Sequence, residues 1–368
     1  MAAPTSLSRG TLWDKIRCRA AAHPNFALAL LVIAALGPFL AKPFNIDDPL
    51  FIWAAHQIQA HPFDPYGFAV NWYGSVTPMW LATENPPLAA YFIALAAGVV
   101  GWSEPALHAA FLLPAVAVIL GTYRLAGRFC DSPVLAALAT LFTPVFWVSS
   151  TTVMCDVLML AFWIWAVVLW VEGMERENIR LLAGAGLLIA LAALTKYYGA
   201  CLIPLLAAYA LIDKRRPGRW MLCLLIPLVA LVAYQWLTGE GYGQGMLTKA
   251  VGFTSASRKI VGYSHLASGL TGLSFVGGCL AAGVIFAPLL WRARALIFFA
   301  AGAIVITLAV FFQKGMLRVN GPLEGAARMF AETQTVFWAV GGISVLALAI
   351  VDVAKRRDRA SWLLGSCW

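Results

Sequence analysis

The chain has 368 residues, of which 61% are hydrophobic and only 12% are charged. Soluble proteins carry about 25% charged residues, so this composition excludes a soluble globular domain and a disordered chain. The seven Cys residues are scattered singly and form no Cys-x-x-Cys pair, which gives no sign of a disulfide framework. The net charge of +9 does not indicate a nucleic-acid partner, because membrane proteins collect Lys and Arg in cytoplasmic loops.

The apolar segments, taken in chain order, predict an all-α polytopic membrane protein. A bilayer core needs roughly 20 apolar residues per helix. Ten segments meet this length: 26–44, 105–127, 133–150, 156–173, 180–196, 197–213, 219–238, 270–291, 295–313 and 333–353. An eleventh apolar segment, 86–102, brings the prediction to 10–11 transmembrane helices. No small-residue cleavage site follows the first segment, which we interpret as an uncleaved anchor.

The positions of Lys and Arg predict the orientation of these spans. With ten spans, every basic cluster falls on the cytoplasmic side: Arg9–Arg19, Arg124/Arg128, Arg176/Arg180, Lys214–Arg219, Arg292/Arg294 and Lys355–Arg359. A full span at 86–102 would turn the clusters from Arg124 onward to the outside. We therefore predict that 86–102 is a re-entrant or surface-lying helix.

This count divides the chain into three parts. Residues 1–25 form a cytoplasmic arm, 26–353 a single integral membrane domain, and 354–368 a cytoplasmic tail. The longest outward segment is the loop 45–104, and it contains no Lys or Arg. The predicted location is the inner (plasma) membrane of a bacterium, with a cytoplasmic N-terminus.

The outer loop opens with two adjacent acids, Asp47 and Asp48. Asp48 followed by Pro49 has the form of a helix N-cap with Pro at the first helical position. Asp47 would then be the freer acid, just above the bilayer. Such a carboxylate can act as a general base toward a hydroxyl group or hold a divalent cation. The alternative is that both acids only cap the helix.

Three further polar features fall on the same predicted face. Asp156 begins the fourth span, Lys196 occupies a tight outer turn, and Glu84-Asn85 precede Pro86-Pro87. Two acids and a lysine at one lipid–water interface suit attack on an anionic, lipid-linked substrate. The alternatives are an ordinary solvated helix end for Asp156 and a snorkelling side chain for Lys196.

Aromatic residues and histidines of the loop are candidates for sugar binding. Trp72 and Tyr73 could stack on sugar rings, although an interfacial aromatic belt explains them equally well. His56 and His61 are five residues apart, unlike the i, i+4 pair of a helical zinc site. We therefore expect a hydrogen-bonding or structural role for His56 rather than metal ligation.

The order of these motifs resembles that of GT-C glycosyltransferases. Asp47-Asp48 follow the first span, Asn85-Pro86-Pro87-Leu88 close the outer loop, and Asp156 and Thr195-Lys196 come later. The resemblance covers roughly 26–215 and is greatest to bacterial members related to protein O-mannosyltransferases and lipid A aminoarabinose transferases (glycosyltransferase family 39-like). The chain departs from the family at Asp48, where Glu is usual, at Asn85, where His is common, and at Tyr197, where Gly is common.

The resemblance implies a fold, a reaction and a set of site residues. Interface-lying helices are expected in the first outer loop. A polyprenyl-phosphate-linked sugar is the expected donor, transferred on the outer (periplasmic) face of the lipid bilayer to a protein, lipid or glycan acceptor. The implied catalytic residues are Asp47, as the base, with Asp48 and Asp156. The implied substrate-binding residues are Lys196, toward the lipid phosphate, with Glu84, Asn85, Tyr197, Trp72, Tyr73 and His56.

The resemblance leaves metal dependence and completeness open. A divalent cation, Mg²⁺ or Mn²⁺, is compatible with the acids of the loop. Family members often continue into more spans and a soluble C-terminal domain. Either an acceptor-binding part is absent from this chain, or the chain is a minimal or truncated member.

Two other functions compete with sugar transfer. A transporter or lipid flippase would place ionisable residues in mid-span, whereas the charges singled out above lie at span ends. The sequence contains no G-x-x-x-x-G-K-[ST] motif, which ATP-driven transport would require. The third alternative is a non-catalytic subunit of a cell-envelope complex, in which Asp47 would be dispensable.

Overall fold

The computed structural model describes residues 22–261, 265–279, 302 and 325–356, which are predominantly helical. The helices, in chain order, are α1 (Pro24–Leu36), α2 (Asp48–Ala60), α3 (Met79–Ala82), α4 (Leu88–Val100), α5 (Glu104–Ala126), α6 (Pro133–Leu141), α7 (Pro144–Ser150), α8 (Cys155–Glu175), α9 (Ile179–Thr195), α10 (Leu202–Lys214), α11 (Trp220–Tyr242), α12 (Met246–Val261), α13 (His265–Cys279) and α14 (Gly325–Arg356). Short 3₁₀ turns cover Gly37–Phe39 and Tyr197–Cys201. One antiparallel hairpin pairs β1 (Ala69–Asn71) with β2 (Val76–Pro78).

Three described helices, α5, α8 and α11, are long and apolar enough to cross a membrane. They coincide with the predicted spans 105–127, 156–173 and 219–238. The predicted span 133–150 is a bent pair, α6 and α7, which meet at 62° and would make a fourth crossing. The bend falls at Thr143-Pro144 because a residue before Pro avoids the helical conformation.

The described residues support fewer spans than the ten predicted. Helices α1, α4 and α9 are apolar but shorter, as are the apolar parts of α13 and α14. The segment 197–213 divides into a 3₁₀ turn and the 13-residue helix α10. The predicted span 295–313 lies outside the described residues apart from 302, and 270–291 is described only to Cys279. An all-helical membrane fold is confirmed, while the count of ten stays a prediction.

Helix α8 is the centre of the bundle. It packs along α5 and α9, and α9 packs in turn against α11. Trp170 and Val171 of α8 are completely buried. Helix α11 exposes a row of large apolar side chains, including Leu222, Val229 and Val232 at 63–68% exposure. Since exposed apolar area of this extent is unfavourable in water, this row is the surface that suits lipid.

The outer loop 45–104 begins and ends at the same end of the bundle, which we call the loop end. The backbone N–H of Phe44 donates to Glu104 Oε1 at 3.3 Å, and His108 Nδ1 lies 3.1 Å from the carbonyl oxygen of Leu40. Helix α5 therefore starts where α1 ends. Helix α4 lies within this loop and, with 13 residues, is about 20 Å long, too short to cross the bilayer core.

The opposite end of the bundle, which we call the basic end, holds the clustered Arg and Lys residues of the described loops. Glu172 of α8 forms ion pairs at 2.9–3.1 Å with Arg124 of α5, with Arg128 just beyond α5 and with Arg176 just beyond α8. Lys214 at the end of α10 pairs with Glu177 at 3.0 Å. These contacts bring together the basic clusters that the sequence assigns to one side of the membrane.

Candidate active site at the loop end

Asp48 connects the start of α2 to the start of α8. Its side chain is fully buried; Oδ2 accepts the backbone N–H of Asn45 at 2.6 Å and Oδ1 accepts that of Val153 at 3.0 Å. Burial raises the pKa of the Asp48 carboxyl above its ordinary value of 3.8, and the two amide hydrogen bonds oppose this shift. The helix begins at Asp48, one residue earlier than predicted, and the carboxylate binds amides outside the helix rather than capping it.

Asp47 is the N-cap residue of α2, but its side chain makes no capping hydrogen bond. It makes no hydrogen bond or ion pair to any other described residue either. The carboxylate instead faces a cavity of about 210 Å³. Because the neighbouring Asp48 binds the backbone amides, Asp47 remains available to a ligand.

The cavity brings together five of the residues predicted from the sequence. Asp47, Trp72, Tyr73, Glu84 and Asn85 all line it. The β1–β2 hairpin supplies the two aromatic side chains, and the Pro-rich turn before α4 supplies Glu84 and Asn85. The cavity thus combines a free acid, a polar wall and exposed aromatic rings.

Lys249 of α12 is a site residue that the sequence reasoning missed. Its side chain is only 11% exposed, and Nζ lies 2.7 Å from Glu84 Oε1. The same ammonium group donates to the carbonyl oxygen of Thr83 at 2.8 Å. Glu84 and Lys249 are 165 positions apart, so no local pattern links them. The sequence does carry one signal for Lys249: basic residues are scarce in the predicted outer loops, so a lysine there is a candidate partner for a loop acid.

Tyr66 fixes the opposite side of the Pro-rich turn. Its side chain is 3% exposed, and its hydroxyl donates to the carbonyl oxygen of Asn85 at 2.8 Å. Burial raises the pKa of Tyr66 well above its usual value, so the hydroxyl stays a neutral donor. The Asn85 side chain in turn accepts a hydrogen bond from Cys155 Sγ at 3.7 Å, which joins the cavity wall to the start of α8.

Asp156 and Lys196 form the ion pair next to this wall. Lys196 Nζ lies 2.6 Å from Asp156 Oδ1, and each side chain is about one-third exposed. Asp156 lies in the first turn of α8 and Lys196 directly follows α9. Both residues lie at the same end of the bundle as Asp47, because the start of α8 contacts Asp48 and Asn85. Partial exposure leaves the ammonium group able to contact a second anion.

A groove of about 460 Å³ adjoins the cavity at Tyr66, which lines both. Apolar and tyrosine side chains line most of it, among them Leu88, Tyr91, Leu194, Tyr234 and Leu237. Leu194 is two positions before Lys196. The groove therefore offers an apolar surface close to the end of α9, although neither Asp156 nor Lys196 lines the groove or the cavity.

Two predicted substrate-binding residues lie elsewhere. His56 stacks on Trp102 with ring centroids 3.5 Å apart and lines a separate surface cavity with Trp53. Tyr197 lines neither the cavity nor the groove, and its hydroxyl lies 3.5 Å from that of Tyr234. His56 is thus outside the Asp47 site, whereas Tyr197 lies next to the groove residue Tyr234 and within electrostatic range of Glu84.

The donor set at the cavity does not suit a resident divalent cation. Within the described residues, no group of three or more His, Cys, Asp or Glu side chains is placed to hold a metal ion. Glu84, the second acid of the cavity, is bound by the Lys249 ammonium group, which would repel a cation. We therefore derive no step through a metal.

Comparison with known proteins supports the predicted resemblance. Residues 84–238 match the family described as dolichyl-phosphate-mannose-protein mannosyltransferase, a range that includes Glu84, Asp156 and Lys196. No curated protein sequence matches the chain.

Solved structures show a similar fold at low sequence identity. The structure of ArnT from Cupriavidus metallidurans, bound to undecaprenyl phosphate, aligns with a TM-score of 0.50 and 15% identity, covering 90% of this chain and 63% of that one. An oligosaccharyltransferase from Archaeoglobus fulgidus aligns with a TM-score of 0.40 and 14% identity, covering 92% of this chain and 53% of that one. The chain therefore spans less than two thirds of the length of these proteins.

The family match over residues 84–238 and the fold shared with ArnT confirm the resemblance of this chain to GT-C glycosyltransferases.

Proposed function

We propose that this protein is a membrane glycosyltransferase that moves a sugar from a polyprenyl-phosphate donor to a hydroxyl acceptor. The observation that carries the proposal is the unengaged carboxylate of Asp47, which faces a polar and aromatic cavity. That cavity adjoins an apolar groove and lies near a partly exposed lysine. A lipid-linked, anionic sugar donor needs these three environments side by side.

In the proposed reaction, Asp47 accepts the proton of the acceptor hydroxyl group. The hydroxyl oxygen forms a bond to the anomeric carbon of the sugar, while the bond from that carbon to the phosphate oxygen breaks. Polyprenyl phosphate leaves with the electron pair, and the anomeric configuration inverts. Because the leaving group is a stable anion, the protein mainly positions the reactants and supplies one base and one cation.

The other site residues act in positioning. Lys196 contacts the lipid phosphate, with Asp156 holding its ammonium group in place between turnovers. Trp72 and Tyr73 provide faces on which a sugar ring can stack. Glu84, fixed by Lys249, orients the sugar or the acceptor by hydrogen bonding. Asp48 serves by anchoring α2, which sets the position of Asp47.

The donor and the side of the membrane are part of the proposal. The structure similar in fold was solved with undecaprenyl phosphate, which supports a polyprenyl-phosphate carrier. The basic end of the bundle is expected in the cytoplasm, so the loop end and its cavity face the periplasm of a bacterial inner membrane. A protein, lipid or glycan hydroxyl reaches the cavity from that side.

A donor panel tests the proposal. Purified protein in liposomes is supplied with several polyprenyl-phosphate sugars and cell-envelope extract as the source of acceptor, and the release of free polyprenyl phosphate is followed. Release with one donor class is expected. Protein that stays folded and monodisperse but releases polyprenyl phosphate from none of them would contradict the proposal and favour a transporter, a flippase or a non-catalytic subunit.

A further inference from the structure

A further pocket, of about 460 Å³, lies at the basic end between the α8–α9 and α10–α11 loops. The 21-residue helix α8, about 31 Å long, separates this end from the Asp47 cavity. We call it the basic pocket. Its lining residues are Gly173, Met174, Glu177, Ile179, Leu182, Lys214, Arg216, Pro217, Gly218, Arg219 and Trp220. The sugar-transfer reaction proposed above uses none of them.

The charges that line the basic pocket do not cancel. Three cations, Lys214, Arg216 and Arg219, face a single lining acid, Glu177. Glu177 is already bound by Lys214 at 3.0 Å. Arg216 and Arg219 are exposed and have no ion pair within the part of the chain that the structure describes. A pocket with two uncompensated guanidinium groups attracts an anion.

The arginines of the pocket differ from those elsewhere at the same end. Arg124, Arg128 and Arg176 share Glu172 as an acidic partner at 2.9–3.1 Å. Their charges are thus balanced within the protein. The uncompensated guanidinium groups of Arg216 and Arg219 coincide with a concave surface, which is the arrangement of a binding site.

Trp220 lines the pocket as a buried aromatic side chain, 6% exposed. Its ring packs edge-on against Trp170 of α8. The indole nitrogen is itself buried, so Trp220 contributes ring surface to the pocket rather than a donor.

Apolar side chains form another part of the wall, namely Ile179, Leu182 and Met174. Ile179 is 48% exposed, whereas Leu182 and Met174 are at most 5% exposed. An anion that binds here therefore contacts hydrocarbon as well as charge. A free inorganic phosphate has no apolar part to contact such a wall, whereas a phospholipid has acyl chains that do.

We propose that the basic pocket binds the headgroup of an anionic phospholipid from the adjacent leaflet. Arg216 and Arg219 contact the phosphate, as guanidinium groups do with charge-assisted, bidentate hydrogen bonds. The first methylene groups of the acyl chains lie against Ile179, the exposed apolar residue of the wall. Basic pockets between membrane helices are suited to this class of ligand.

The test is lipid binding measured by native mass spectrometry on the full chain in neutral detergent. Phosphatidylglycerol and phosphatidylcholine are titrated separately onto the wild type and onto a double variant, Arg216→Gln/Arg219→Gln. The matched control is Arg180→Gln/Arg215→Gln, which removes the same charge from exposed positions at the same end that do not line the pocket. Thermal unfolding in detergent without lipid confirms that each variant is folded.

The proposal predicts one tightly held phosphatidylglycerol on the wild type. Its dissociation constant rises about 10-fold or more in the pocket double variant, because charge-assisted hydrogen bonds are lost, and stays within about twofold in the control. Inorganic phosphate does not displace the lipid at equal concentration.

Three results would overturn the proposal. Equal losses in the pocket variant and the control would mean general attraction of anionic lipid to the basic end. Displacement by inorganic phosphate at the same concentration would make the pocket a free-anion site. Equal affinity for phosphatidylcholine would show that the headgroup charge is not recognised. None of these results bears on sugar transfer, because the two sites lie at opposite ends of the bundle.

Discussion

Two neighbouring aspartates at the start of α2 have opposite environments. Asp48 is fully buried and binds two backbone amides, whereas Asp47 faces the cavity without a partner among the described residues. The sequence already favours Asp47 as the freer acid. It does not identify Val153 as a partner of Asp48, because that contact joins positions 105 residues apart.

Replacing Asp48 by Asn tests its anchoring role. An amide side chain has one acceptor oxygen, so one of the two buried backbone N–H groups loses its partner. We expect a loss of about 1–3 kcal/mol in the free energy of unfolding, measured by thermal or denaturant unfolding in detergent. Asp47→Asn is the control, and an equal loss in both variants would contradict the assignment.

The pH dependence of that loss has a defined sign. The raised pKa of Asp48 means that the folded protein holds this proton more tightly than the unfolded chain. The resulting stabilisation is fully present below the ordinary value of 3.8 and is lost as the pH rises through the folded-state pKa. The stability gap between wild type and Asp48→Asn is therefore expected to widen as the pH falls toward 3.8.

Lys249 is expected to act as a positioning residue through Glu84. Lys249→Met removes the donor to Glu84 Oε1 and to the Thr83 carbonyl oxygen. A charge-assisted hydrogen bond contributes about 1.5–3 kcal/mol, so kcat/KM for sugar transfer should fall about 10-fold or more. Lys249→Arg should restore most of the activity, because it keeps the charge and the donor.

A double variant separates this role from a general structural one. If Lys249 acts through Glu84, Lys249→Met should add little to the effect of Glu84→Gln. Independent losses that multiply in the double variant would show that Lys249 has a separate role.

Between helices, two small residues allow close approach of backbones. A Cβ on Gly186 of α9 would lie 2.3 Å from the carbonyl oxygen of Cys223 in α11. A Cβ on Gly277 of α13 would lie 1.9 Å from the carbonyl oxygen of Trp338 in α14. Close helix packing is a general use of Gly in membrane bundles. Gly278, the direct neighbour of Gly277, faces open space.

The contact between α9 and α11 makes Gly186→Ala a sensitive test of the bundle. The added methyl group meets backbone that cannot rotate away, and overpacking of this kind costs about 1–3 kcal/mol. The midpoint of thermal unfolding should fall accordingly. Gly184→Ala, two positions away, is the matched control, because its nearest neighbour is Leu169 Cδ1 at 3.4 Å. A lower midpoint in the control than in Gly186→Ala would contradict this packing.

At the scale of the whole molecule, charge is divided between the two ends of the bundle. The loop end holds Asp47, Glu84 and Asp156 with the single lysines Lys196 and Lys249. The basic end holds the clustered cations near the ends of α5, α8 and α10 with their acids. The positive-inside rule then predicts that the basic end lies in the cytoplasm.

Thiol labelling of single-Cys proteins measures this orientation. Ser75→Cys, in the exposed turn of the β1–β2 hairpin, should react with a membrane-impermeant maleimide on intact cells with an opened outer envelope. Cys130, exposed just beyond α5, should react only after the membrane is permeabilised. The reverse pattern would place the candidate active site in the cytoplasm and contradict the proposed topology.

The sequence predicts the class of fold well, because the bilayer imposes one simple rule. Every spanning segment must satisfy its backbone internally and present an apolar surface, so α5, α8 and α11 are visible as apolar blocks. Helix α9 has the length of its apolar block, whereas α10 is shorter than the block 197–213 suggests. The turn at Lys196–Cys201 separates them, and its geometry depends on contacts that hydropathy does not record.

The site was predictable to the extent that its residues lie next to span ends. Asp47, Asp156 and Lys196 are placed together by the alternation of helix direction alone. The Glu84–Lys249 pair and the Tyr66–Asn85 contact depend on how the outer loop folds over the bundle, and a single sequence records no such pairing. The position of His56 outside the Asp47 cavity was not predictable for the same reason. Its stacking partner, Trp102, lies in the connection between α4 and α5.

The most direct test of the account is the rate at which Asp47 variants release polyprenyl phosphate. The wild type, Asp47→Asn and Glu240→Gln, an exposed acid late in α11, are compared in liposomes with the donor and acceptor that support turnover. Removing a general base costs about 100-fold to 10,000-fold, so Asp47→Asn should be nearly inactive while Glu240→Gln keeps wild-type rates. An Asp47→Asn protein that is folded and turns over at the wild-type rate would contradict the account.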